Sequence, residues 1–171
     1  MGKNRLETLF DGVLAIIITI MVLEMHIPSG HNMDALWPLA PVIFSYVMSF
    51  IYLGIYWNNH HHLFQAVEKV NGKVLWSNLG LLFALSLIPF TTAWMGENYF
   101  AKNAVVLYGI NLTLCAIMYF VLQYVSLKHE GKESKIGAAL QNRTKEYMSV
   151  SIYVLGTVAS FYWPVIGIAS Y

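Results

Sequence analysis

The chain has 171 residues, of which 57% are hydrophobic and 11% charged, and its formal net charge is +1. Soluble domains carry about a quarter charged residues, so this composition excludes an ordinary water-soluble domain and points to lipid; the near-neutral balance excludes a long basic surface for nucleic acid. The single cysteine, Cys115, excludes an intrachain disulfide and, lying in an apolar run, reads as a small buried hydrophobe.

A bilayer core about 30 Å thick takes about 20 mostly apolar residues per helix. The first such stretch runs from Leu6 to Ile27. Its start is too polar, and its apolar run too long and too burdened with an embedded acid, for a cleaved signal peptide, so it is expected to stay. Pro28-Ser29-Gly30 ends it, and Pro38 opens a second stretch that continues to Trp57. The third covers Val74 to Met95, where Pro89 predicts a kink whose freed carbonyl a neighbouring group relieves. Gly96-Glu97-Asn98 separates it from the fourth, Ala104 to Leu127, in which Asn111, Thr113 and Gln123 read as interhelical hydrogen-bonders. The longest polar stretch, 128–146, carries Ile136 and Leu140, with Tyr147 just beyond it, spaced for a short amphipathic helix on the inner membrane face. The last stretch is either one kinked helix or, as we favour, a fifth span over 147–163 and a short stub from Pro164 to Tyr171. The expected fold is all-α: one transmembrane domain over 1–171, a polytopic bundle of five to six helices.

Basic residues set the orientation, because cytoplasmic loops retain Lys and Arg. Lys3, Arg5, Lys69, Lys73, Lys128, Lys132, Lys135, Arg143 and Lys145 fall on one side of the spans, and Lys102 alone falls on the other. That bias predicts a cytoplasmic N-terminus, with the loops around His31 and Asn98 outside. Trp37, Trp57, Trp76, Trp94 and Trp163 all fall near expected span ends, as an interfacial aromatic belt requires.

Chemistry concentrates in the first span. Asp11 sits about one turn inside the apolar stretch, where a carboxylate is costly and needs a partner; Arg5 and His60 are candidates at the same inner depth. At helical spacing Gly12, Ile16, Thr19, Leu23 and His26 share one stripe, with Ile20 beside it. Two readings compete. The stripe is ordinary helix-packing surface with Thr19 bonded to its own backbone, or it is a pore wall in which branched apolar side chains gate by dewetting and Thr19 offers an oxygen to an ion. A closed pore would need several copies of the chain around an axis. His60-His61-His62 is a weak metal motif, since adjacent helical positions point about 100° apart and do not converge on one ion. Glu24 and His26 read as an outer vestibule or as a solvated helix end.

The run Arg5…Leu9-Phe10-Asp11-Gly12-Val13, with Ala15, Ile16 and Thr19 after it, resembles the Arg-x-x-x-Phe-Ser-Asp pattern of the lysosomal potassium channel family and its prokaryotic homologues, with Leu9 and Phe10 in place of Phe-Ser. Trp57-Asn58-Asn59-His60…Leu63-Phe64 is similar to the family's Trp-x-x-His-x-x-Leu-Phe, and Asn78-Leu79 and Leu87-Ile88-Pro89-Phe90 also look familial. The resemblance implies a potassium-permeable cation channel, not an enzyme, with a helix-lined pore; no Thr-Val-Gly-Tyr-Gly-type filter segment occurs in the chain. It implies a gate at Ile16 with further apolar layers at Ile20 and Leu23, and selectivity aided by Thr19. Arg5, Asp11, Trp57 and His60 form the implied structural polar network. The implied assembly is a homotetramer in the cell membrane, with potassium ions and the bilayer as partners and no cofactor, metal or nucleic acid. The family carries six helices per repeat, whereas the stub ending at Tyr171 is too short to cross. The alternative is a proton-coupled secondary transporter using Asp11 and His60 as a relay, although no internal repeat supports it. A haem bundle fails because His26 and His60 fall at opposite membrane faces.

Overall fold

A computed structural model describes residues 2–141 and 144–171. Arg143 and the side chains of Lys145 and Tyr147, used above, lie outside the described residues. Helix α1 spans Lys3–Leu23; a 3-10 segment, Met33–Leu39, leads into α2, Ala40–Ala66. Then come α3 (Gly72–Ser86), α4 (Ile88–Glu97), α5 (Lys102–Glu130), the short α6 (Lys135–Ala139), α7 (Thr144–Ser160) and α8 (Pro164–Ser170). Among the described residues there is no strand.

Among the described residues four segments are long and apolar enough to cross a membrane: Lys3–Leu23, Met33–Ala66, Gly72–Glu97 and Lys102–Glu130. Their ends differ from the hydropathy-based spans for local reasons. The first helix stops at Leu23 rather than Ile27, where Met25 N bonds Val22 O at 3.2 Å and the chain turns off ahead of Pro28. The second continues past Trp57 to Ala66, because the polar run from Asn58 to Gln65 lowers hydropathy without containing a helix breaker. The fourth runs on to Glu130, where Gly131 takes φ of 90° and ends it.

The third span is broken rather than merely bent. Pro89 cannot donate to the ladder, so α3 closes at Ser86 and α4 restarts at Ile88. With its amide oxygen turned toward the break, Asn111 of α5 accepts from Ile88 N at 3.2 Å and donates to Ala84 O at 3.0 Å. One side chain thereby satisfies two backbone groups that lipid could not.

The C-terminal end adds detail to the hydropathy pattern. Helix α6 buries Ile136 completely and packs it between α2 and α5, with Leu140 against the core. Helix α7 has 17 residues, a little short of the usual spanning length, and ends at Ser160 rather than Trp163. The expected stub is α8, which turns at Trp163-Pro164 and packs against α7 and α5.

Lipid tails are as apolar as leucine, so tight packing and buried hydrogen bonds must hold such a bundle together. Gly96 lets α4 approach α2 so closely that a Cβ there would lie 2.7 Å from the Val42 Cα. Gly109 on α5 leaves room for Tyr171 and Thr157, whose side chains would clash with any substituent. Between α2, α4 and α5, Ser49 bonds Thr92 at 2.7 Å and Tyr108 at 2.9 Å. Helix α5 is central, touching α3, α4, α6, α7 and α8, while α1 packs on α2, α3 and α4.

Candidate functional site

Helix α1 carries two surfaces. Leu6, Phe10, Leu14, Ile17 and Met21, at steps of three or four, are buried against the bundle. On other faces of the helix Gly12, Ile16, Thr19, Ile20 and Leu23 are exposed, Ile16 at 58%, Ile20 at 39% and Leu23 at 81%. The expected stripe is therefore unused by the protomer's own packing. The Thr19 hydroxyl donates within the helix, to Ile16 O at 2.9 Å or Ala15 O at 3.2 Å. With its proton so committed, its remaining lone pair faces outward as an acceptor. The backbone bond expected of Thr19 is present, and it leaves the oxygen free to accept.

Toward the N-terminal end of α1 the four polar-network residues do not form one cluster. Asp11 Oδ1 accepts from the Trp57 indole Nε1 at 2.9 Å, joining α1 to α2. His60 points elsewhere, with Nε2 2.9 Å from Asn78 Oδ1 on α3. Its ring is sandwiched between Phe10 (centroids 3.6 Å apart, 5° between planes) and Phe64 (4.4 Å, 22°). Asn78 Oδ1 can only accept, so that nitrogen of His60 carries the proton. Arg5 is exposed and makes no ion pair or hydrogen bond among the described residues. Sequence reasoning saw Asn78 as familial without seeing that it is the partner of His60, and it noted Phe10 only as a departure from the family's serine, whereas the ring is a stacking surface. The only advance signal was that Phe10 and Leu14 fall on the buried stripe.

The transporter relay is not assembled in this arrangement, since Asp11 and His60 have different partners and are not bonded to each other. His61 stacks on Trp57, bonds Gln65 at 2.9 Å and has its ring centroid 5.8 Å from that of His62, whereas His60 faces Asn78. At the other end of α1, His26 Nδ1 lies 3.3 Å from Glu97 Oε1, on the exposed edge of α4.

Residues 5–89, which hold α1, the Trp57-to-Phe64 run and the break at Pro89, match the family described as endosomal/lysosomal potassium channel TMEM175. A potassium channel of Chryseobacterium sp. strain P1-3 is 54% identical over 171 residues, covering 100% of this chain and 89% of that protein. The chain belongs to the TMEM175 family. A potassium channel of Streptomyces collinus is 35% identical to it over 99 residues, covering 56% of this chain and 48% of that protein. The crystal structure of a lysosomal potassium-selective channel TMEM175 homologue from Chamaesiphon minutus has the same fold, with a TM-score of 0.83 at 24% identity over 98% of this chain and 91% of that one. Membership of the TMEM175 family makes this a multi-pass membrane protein of a channel family, not an enzyme.

Proposed function

We propose that the chain is a potassium-permeable channel of the cell membrane, assembled as a homotetramer around α1 with its N-terminus in the cytoplasm. The observation that carries this reading is the exposed stripe of α1. A membrane helix whose apolar branched side chains and one outward-facing hydroxyl are left unpacked by their own protomer is suited to line a path shared by several copies. Ile16 is the gate of that path, with Ile20 and Leu23 as further apolar layers, and Thr19 supplies a ring of oxygens one turn beyond Ile16. Arg5, Asp11, Trp57 and His60 are structural, holding the inner end of α1 against its neighbours, with Arg5 left free to meet an adjacent copy.

Purified protein in liposomes under bi-ionic potassium and sodium gradients tests the proposal. Wild type should pass current with a reversal potential displaced toward potassium, without stoichiometric coupling to protons. Ile16→Asn should wet the constriction and raise resting flux at matched protein density. Indistinguishable currents in the two proteins would put the gate elsewhere, and strictly proton-coupled uptake would restore the transporter reading.

A further inference from the structure

The α1 sequence holds two hydroxyl side chains, Thr8 and Thr19, and both lie on the exposed face of the helix. They stand eleven positions apart, which at about 100° and about 1.5 Å per residue points them within about 20° of one direction, about 16 Å apart along the axis. Each commits its proton in the same way. The Thr8 hydroxyl donates to Asn4 O at 2.9 Å, as that of Thr19 donates to Ile16 O, so each keeps an oxygen able to accept. Between them, a Cβ on Gly12 would meet nothing within 4 Å. The middle of the exposed face, Thr8, Gly12, Ala15 and Thr19, is thus small or hydroxyl-bearing, whereas the exposed face of α2 presents Phe44, Val47, Ile51 and Ile55. Large apolar side chains suit contact with lipid tails; a hydroxyl beside an open gap suits water.

Resting on the reading of α1 as a pore helix, we infer that Thr8 forms a second hydroxyl ring, which holds a hydrated potassium ion on the N-terminal side of the Ile16 gate. Its oxygens accept from the ion's water shell, and Gly12 leaves the width that a shell needs. Thr8 lies eight positions from Ile16, about 12 Å by helical rise, and so stands clear of the dewetted constriction. Thr19, three positions beyond Ile16, lies within a turn of it, where an ion has shed part of that shell. The two rings therefore differ in task. Thr19 weighs one cation against another, whereas Thr8 raises the concentration of ions waiting at the gate. Arg5 and Asp11 stand three positions to either side of Thr8 with opposite charges, so the ring binds through neutral oxygens and releases its ion readily, as conduction requires.

Potassium currents through the intact protein in excised patches, with each face perfused separately, test the inference. Thr8→Val should raise the half-saturating potassium concentration about threefold on the face that carries the N-terminus and leave it unchanged on the other. The bi-ionic reversal potential should stay at the wild-type value, in contrast to Thr19→Val, and Thr8→Ser should restore half-saturation. Thr8→Cys supplies a second test, which stands even if the valine variant fails to assemble. A cationic methanethiosulfonate applied in water to the N-terminal face should cut the current of Thr8→Cys and leave wild type untouched, because Cys115 is buried. A half-saturation that is unmoved or moves equally from both faces, no rescue by serine, or a Thr8→Cys current that the reagent leaves intact would overturn the inference and return Thr8 to a lipid or helix contact. Wild type without potassium current would sink this inference together with the channel reading, whereas normal wild-type current with an unaltered Thr8→Val sinks this inference alone.

Discussion

At the scale of single residues, Thr19 and Asp11 differ in what they leave open. Thr19 gives its proton to the helix and keeps an oxygen able to accept, so under the proposed selectivity role Thr19→Val, which preserves shape and removes that oxygen, should lower the potassium-to-sodium permeability ratio. An unchanged bi-ionic reversal potential would retire the role. Asp11 is committed to the Trp57 indole, and that bond fastens the inner end of α1 to α2. Asp11→Ala should therefore cost on the order of 1 kcal/mol of protomer stability and weaken assembly more than it alters selectivity. Size-exclusion chromatography in detergent alongside flux measurement separates the two, since an intact oligomer with a shifted reversal potential would place Asp11 on the ion path. The sequence marked Asp11 and Trp57 because a charge and an indole at one membrane depth are chemically conspicuous. The partner of His60 was not legible, because which residue a buried ring meets depends on how the helices rotate against one another; here Phe10 stacks on the ring and Asn78 bonds it.

At the scale of elements, hydropathy located the helices and misplaced their ends. It saw apolar length, whereas helices stop where backbone bonding stops: at Leu23 ahead of Pro28, at Gly131, and on both sides of Leu87. The break at Pro89 was legible from the proline, and Asn111 was legible as an interhelical donor, but not that the two belong together. Asn111→Leu should leave Ile88 N unpaired inside the bundle, at about 1–3 kcal/mol, with Ala84 O keeping only its bond from Leu87 N, and lower the thermal unfolding midpoint in detergent more than Thr113→Val does. Equal midpoints for the two variants would mean that water or a shifted backbone replaces the amide. The inner loops are tied by a second device that hydropathy cannot detect. Glu130 Oε1 accepts from Glu68 N at 2.7 Å and Lys69 N at 2.8 Å, so the end of α5 holds the α2–α3 connection. Lys135 lies 2.7 Å from Glu68 and holds its carboxyl below the usual range, an exposed pair whose contribution is present above the ordinary carboxylate pKa and lost as pH falls through the lowered one.

At the scale of the whole molecule, the described basic residues other than Lys102 gather at the end that also holds the α2–α3 and α5–α6 connections, and all five tryptophans are exposed, Trp57 well inside α2 and the others nearer to helix ends. The native cysteine is fully buried, so single introduced cysteines can be labelled against a quiet background. In cells, Lys132→Cys should react with an impermeant maleimide only after the membrane is opened, and Tyr99→Cys should react without opening; the reverse pattern would invert the proposed orientation. Asn111 also bears on the order in which the molecule comes into being. Synthesis delivers α3 and α4 to the membrane before α5 exists, so for that interval the amide of Ile88 faces lipid or borrowed water without the side chain that meets it in the finished fold. The third span can enter the bilayer early, but it cannot be completed until the residue that finishes it has been translated and docked, which makes α3, α4 and α5 one unit of biogenesis.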